Sequence, residues 1–265
     1  MINQLKNIKC YLLDMDGTFY LGGQLLPGAL EFMSLIINTK KDYLFLTNNS
    51  SKHAGLYADK IRAMGFEVPE NKILTSGEAT TIYINEHFQD KQVFLAGTQA
   101  LVDEFINAGI KLSQNKADLV VLGFDTSIDY DKIWAICDYV RDGLPYIATH
   151  PDFNCPTETG FMPDTGSFIA LIEASTGRKP DVIIGKPHEH IVQAVINKTG
   201  YQMDEIAMIG DRLYTDIALG KTGIMTILTL SGESSLQDVE TSAYKPDLIV
   251  QNLADLSRLL KEVSG

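Results

Sequence analysis

"CYLLDMDGT", residues 10–18, sets a short apolar run directly against two acids. A run this short, closed by polar residues, reads as a buried strand over Cys10–Leu13. It ends on Asp14 and Asp16, and Gly17-Thr18 then turn the chain sharply. The same ending recurs three times. "LFLT" (44–47), "IIGK" (183–186) and "AMIGD" (207–211) each run from apolar residues into a polar one. The four endings supply Asp14, Thr47, Lys186 and Asp211. Ligands of open parallel sheets bind outside the carboxyl ends of the strands. The expectation is that four strands bring a carboxylate, a hydroxyl, an ammonium and a second carboxylate to one edge.

Outward from these strands the pattern alternates. "PGALEFMSLIINTK" (27–40), "KHAGLYADKIRAMG" (52–65) and "EATTIYINEHF" (78–88) read as helices between apolar runs. Glu78 is a candidate cap for the third of them. "QVFLAG", "DLVVLGF", "LPYIATH" and "MTILTLSG" continue the strands. Strand–helix alternation throughout predicts an α/β protein with a Rossmann-like parallel sheet and helices on both faces. "IWAICDYV" has helical apolar spacing, which predicts a core stripe and places Trp134 in the core.

With 265 residues, 45% hydrophobic and 21% charged, the chain has the composition of a globular protein of one domain carrying another. A net charge of −12 argues against a nucleic-acid or anionic-membrane partner. Three cysteines, Cys10, Cys137 and Cys155, make no disulfide framework and no zinc spacing. Cys10 is expected as a small buried side chain. "MINQLKNIKCYLLD" has neither the apolar core of a signal peptide nor the length of a membrane span. A cytoplasmic protein is expected.

The residues themselves suggest a chemistry. A carboxylate is ionised at pH 7 and can attack without a base. Attack on a phosphate anion needs a cation between the charges. An oxygen-rich donor set without His or Cys selects Mg²⁺. Asp14 and Asp211, with Asp216 in "GDRLYTD" (210–216), suit such an ion. Lys186 adds a point charge for phosphoryl oxygens, and the Thr47 hydroxyl and the Asn48 backbone N–H add donors. Asp16 is left to move protons. Beside an ionised Asp14, a proton-carrying Asp16 would spare the site a second like charge.

"DMDGT", "TNNS", "GKP" and "GDRLYTD", in that order, resemble the four motifs of the haloacid dehalogenase superfamily of phosphatases. "GRKPDVIIGKP" (177–187) and "LSGESSLQD" (230–238) narrow the resemblance to its NagD-like, p-nitrophenylphosphatase-like branch. The resemblance implies that Asp14 is the nucleophile that becomes an aspartyl-phosphate and Asp16 the general acid/base. It implies that Thr47 and Asn48 bind phosphate and Lys186 neutralises its charge. Mg²⁺ is then held by Asp14, the backbone carbonyl of Asp16 and Asp211, with Asp216 binding directly or through water. The implied core is residues 1–80 and 182–265, and the implied insertion an α/β cap domain over 81–181. The implied substrate is a small phosphorylated metabolite: a sugar phosphate, a nucleoside monophosphate or p-nitrophenyl phosphate. Caps of that branch often mediate dimers, so a homodimer through the cap is among the expectations. A phosphomutase, a receiver-like phospho-acceptor module and a scaffold on an inactive enzyme fold are the competing readings.

"ATHPDFNCPTETGFMPDTGSF" (148–168) reads as the longest irregular stretch. Relatives of that branch typically have "TNPD" and "PGxG" here, where this chain places His150 and Asp164. His150, Asp152 and Asn154 are therefore expected as substrate contacts.

Overall fold

The computed structural model describes residues 2–157 and 159–264. Cys10–Leu13 is a strand, and all four of its side chains are buried. A strand buried on both faces belongs to the interior of a parallel sheet. Among the described residues the first sheet runs Leu248–Val250, Met225–Thr229, Ile206–Gly210, Cys10–Leu13, Asp42–Thr47, Ile73–Thr75. The pairings from Leu248–Val250 to Asp42–Thr47 are parallel. Cys10 lies opposite Ile206 and Leu13 opposite Ile209, so Asp14 and Asp211 follow adjacent strands at the same edge. The thiol of Cys10 is buried and free, as the sequence predicts.

The chain forms two compact units. One comprises Met1–Leu46, Tyr57–Leu74 and Val195–Gly265, the other Thr47–Leu56 and Thr75–Ala194. In the first unit Phe45, fully buried, meets Phe19 edge-on at 4.8 Å between ring centroids and Tyr43 at 5.9 Å. Phe19 lies in the turn after the acid pair, so this aromatic contact fixes the loop that carries Asp16. Phe45→Ala is expected to cost about 3–5 kcal/mol in denaturant unfolding, because it removes a large, fully buried ring and its two aromatic contacts. A loss under about 1 kcal/mol would mean the cluster is not the support it looks to be.

The second unit has its own parallel sheet, in the order Val182–Ile183, Tyr146–Ala148, Leu119–Leu122, Gln92–Ala96, Lys111–Leu112. Here the structure departs from the four-strands-at-one-edge expectation. The strand before Lys186 pairs with Tyr146–Ala148 and not with the sheet that carries Asp14. Backbone bonds from Asp181 to Tyr146, Ile184 to Ala148 and Gly185 to Thr149 set that register. The described residues of 148–168 also form more regular structure than expected. They hold an antiparallel hairpin, Asn154–Thr157 with Gly160–Pro163. Trp134 is 59% exposed, a correction to its expected core position. The buried stripe of its helix Tyr130–Arg141 is Ile136, Cys137 and Val140, and Trp134 falls on the flank of that stripe.

Thr75, Thr98, Asp129 and Asp164 each cap a helix of the second unit by accepting a backbone N–H. The helix predicted from Glu78 begins earlier, at Ser76, with Thr75 as its cap. No helix among the described residues is long and apolar enough to cross a membrane.

Candidate active site

In the first unit the turn after Cys10–Leu13 is tight. The Gly17 N–H donates to the Tyr20 carbonyl at 2.8 Å, and Gly17 has φ +87°. That conformation is open to glycine and strained for other residues. A side chain there would also collide with the Asp211 carboxylate, as would one at Gly232. A Cβ on Gly210 would strike Asp216. Three glycines thus let backbone close in around two buried acids, which the sequence motifs did not reveal for Gly232.

Asp14, Asp211 and Asp216 each present a carboxylate oxygen within 4.8 Å of the others. Asp211 is 2% exposed and Asp216 fully enclosed. Asp211 accepts the Glu233 N–H at 2.7 Å and faces the Thr18 hydroxyl at 3.5 Å. Asp216 accepts the Arg212 N–H at 3.1 Å. Burial, then the Asp216 charge, push the Asp211 carboxyl up to about 6. Arg212 pairs with Glu233 at 3.0 Å. Burial works against its charge, but Asp14 leads the groups that hold its pKa above the ordinary arginine range.

Three carboxylates this close, two of them buried, are costly unless a cation joins them. The all-oxygen set fits a hard divalent ion. Asp16 has partners of its own. The Tyr20 hydroxyl donates to its Oδ2 at 3.2 Å, and the Lys60 ammonium sits 3.8 Å from Oδ1. Lys60 also lies 3.9 Å from the Tyr20 ring centroid, a cation–π contact. Tyr20 is buried, and that burial, with the Asp16 charge next, keeps its phenol protonated. Neither Tyr20 nor Lys60 carried a motif signal.

In the second unit Thr47 is the last residue of its strand, and its hydroxyl accepts the Asn49 N–H at 3.2 Å. The Ser76 hydroxyl donates to the Asn48 carbonyl. The Asn48 carboxamide accepts the Lys186 N–H at 2.7 Å and donates to the Lys186 carbonyl at 2.9 Å. It also donates to Asp152, 3.1 Å and 3.2 Å from the two carboxylate oxygens. Lys186 is itself buried.

His150, expected to face substrate, is fully enclosed. Its Nε2 lies 3.1 Å from Asp164 Oδ1 and 3.4 Å from the Thr165 hydroxyl. Burial first, and the Lys186 charge after it, push its pKa down to about 4 against the pull of Asp164, so the imidazole is neutral at pH 7. Burial raises the Asp164 carboxyl as well. Asn154 opens the hairpin and is exposed.

The comparisons with known proteins agree with this architecture. The haloacid dehalogenase-like hydrolase profile matches residues 11–111, and a HAD-hydrolase-like profile matches residues 183–256. An acid sugar phosphatase of Staphylococcus epidermidis is 33% identical over 251 residues, covering 94% of this chain and 96% of its own. A 4-nitrophenylphosphatase of Thermotoga maritima superposes with TM-score 0.94 at 46% identity, covering 96% of this chain and 98% of its own. NagD of E. coli K-12 superposes with TM-score 0.87 at 33% identity, covering 94% and 98%. The chain belongs to the haloacid dehalogenase-like hydrolases. Within them it is a phosphoric monoester hydrolase of the NagD-like branch.

Proposed function

We propose that the enzyme hydrolyses small-molecule phosphate monoesters through a phosphoryl group carried transiently on Asp14. Sugar phosphates, nucleoside monophosphates and p-nitrophenyl phosphate are the substrate classes that fit. The observation that carries this reading is the cluster of Asp14, Asp211 and Asp216 at the carboxyl ends of adjacent parallel strands. Asp14, the Asp16 carbonyl, Asp211 and Asp216 would hold Mg²⁺. When bound, the ion neutralises charge between carboxylate and phosphate and polarises the phosphoryl group.

The remaining steps belong to the chain. A carboxylate oxygen of Asp14 attacks phosphorus as the ester P–O bond breaks. Asp16 gives its proton to the departing alkoxide. Water then attacks phosphorus, giving one of its protons to the Asp16 carboxylate, and the bond to Asp14 breaks to release inorganic phosphate. The Thr47 hydroxyl, the Asn48 N–H and the Lys186 ammonium bind the phosphoryl oxygens. Residues 81–181 act as the cap that selects the leaving group.

Steady phosphate release from a panel of phosphorylated metabolites tests the class. Transfer back to substrate without release would mark a mutase, and a long-lived phosphoryl mark without turnover would mark a receiver. The role of Asp16 has a separate test. Asp16→Asn is expected to slow hydrolysis of an alkyl phosphate by about 10²–10³-fold. The loss on p-nitrophenyl phosphate should be much smaller in the first step, because p-nitrophenolate leaves without a proton. Equal losses in a single-turnover assay of both esters would remove Asp16 as the acid.

A further inference from the structure

The Asn48 side chain has a closed set of hydrogen bonds. Its carboxamide oxygen accepts from the Lys186 N–H, and its two N–H bonds go to the Lys186 carbonyl and the Asp152 carboxylate. Both main-chain groups of Lys186 are thus gripped by one side chain, much as a neighbouring strand would grip them. No amide donor remains for a substrate oxygen. The grip works in only one orientation. Turning the carboxamide over would set its oxygen against the Lys186 carbonyl and the Asp152 carboxylate, which offer only acceptors. Its NH₂ would then face the Lys186 N–H. Asp152 penalises that turn most, because it is the charged partner.

Asp152 is itself held. Its carbonyl accepts the Gly166 N–H at 2.8 Å, at the start of the helix Thr165–Thr176. His150, two residues earlier, meets Asp164 at the cap of that same helix. Thr149 meets Ser50 at 2.9 Å, hydroxyl to hydroxyl. A Cβ on Gly185 would lie 2.6 Å from Asn48 Oδ1 and 2.8 Å from both the His150 Cβ and the Thr149 carbonyl. The segments around Asn48, Thr149–Asp152 and Gly185–Lys186 therefore pack closely at Gly185.

We propose that Asp152 is a positioning residue for catalysis: it fixes the Asn48 carboxamide, which in turn fixes the main chain of Lys186. This rests on the phosphatase reading of Lys186 given above. It differs from the sequence expectation that Asp152 touches substrate. A substrate contact discriminates among leaving groups, whereas a residue that aims Lys186 serves every phosphate ester alike.

The test compares Asp152→Ala and Asp152→Asn with the parent on p-nitrophenyl phosphate, a sugar phosphate and a nucleoside monophosphate. Asp152→Ala is expected to lower kcat/KM by about tenfold to a hundredfold, by the same factor on all three. Asp152→Asn, with one acceptor oxygen of the same size, should recover part of that loss and serves if the alanine variant does not fold. In the background of Asn48→Ala, adding Asp152→Ala should cost under about twofold more, since both changes break one relay. Three results overturn the proposal: no loss, a loss that varies more than about fivefold among substrates, or full additivity with Asn48→Ala. Lys186→Ala separates the two levels. Full turnover in that variant would reject the underlying reading. Lost turnover there with unimpaired Asp152→Ala would reject only the positioning role.

Discussion

Asp14→Asn is expected to lower steady-state phosphate release by about 10⁴-fold or more, because a neutral amide replaces the attacking oxygen. The substitution keeps size and shape, so the loss should not come from unfolding. Asp14 shares a 4.8 Å neighbourhood with Asp211 and Asp216, both of them buried. Removing one of three like charges relieves repulsion in the chelated protein, and losing the attraction of Asp14 for Arg212 offsets that relief. Its melting temperature without metal should therefore stay close to that of the parent. Activity would collapse while stability holds, which separates a lost nucleophile from a damaged fold. Turnover within about tenfold of the parent would reject Asp14 as the nucleophile.

The parts of this site that were legible in the sequence are those written into strand ends. Cys10–Leu13 and Ile206–Gly210 are short apolar runs with an acid immediately after each, and parallel pairing sets the two acids side by side. Strand membership was less legible. "IIGK" looks like the other endings, yet which sheet Val182–Ile183 joins depends on its partner Tyr146–Ala148, far away in sequence. The hairpin at 154–163 was hidden for another reason. Its described strand residues are nearly all exposed, so it has no alternating apolar face to reveal it. Trp134 could have been placed correctly. Ile133, Ile136, Cys137 and Val140 already form the helical stripe, and Trp134, about 60° around the helix from Cys137 but about 100–160° from the other three, lies on its flank. The Asp152–Asn48–Lys186 relay carries no local signal, since it joins residues 104 and 138 positions apart.

Chelation is expected to abolish activity, by about a thousandfold or more, with Mg²⁺ restoring it. The accompanying change in stability ties that effect to the acid cluster. Asp211 is held at about 6, above its ordinary 3.8, by burial and by Asp216. A carboxyl with a raised folded-state pKa stabilises the fold fully below its unfolded value, about 3.9, and loses that contribution as pH rises through about 6. The chelated protein should therefore melt lower at neutral pH than that group allows in acid. A bound divalent ion takes over the role of the proton, because it compensates the same charge. The metal-dependent gain in melting temperature should accordingly be large at about pH 7.5 and shrink as pH falls through about 6, where proton and ion compete for Asp211. Asp211→Asn should flatten this pH dependence, since its amide does not titrate. A gain that grew toward acid pH, or activity that survived chelation, would place the metal elsewhere. Activity loss alone could not make that distinction, because a chelator removes an ion from any site, whereas the pH window belongs to a carboxyl with this particular burial and this particular neighbour.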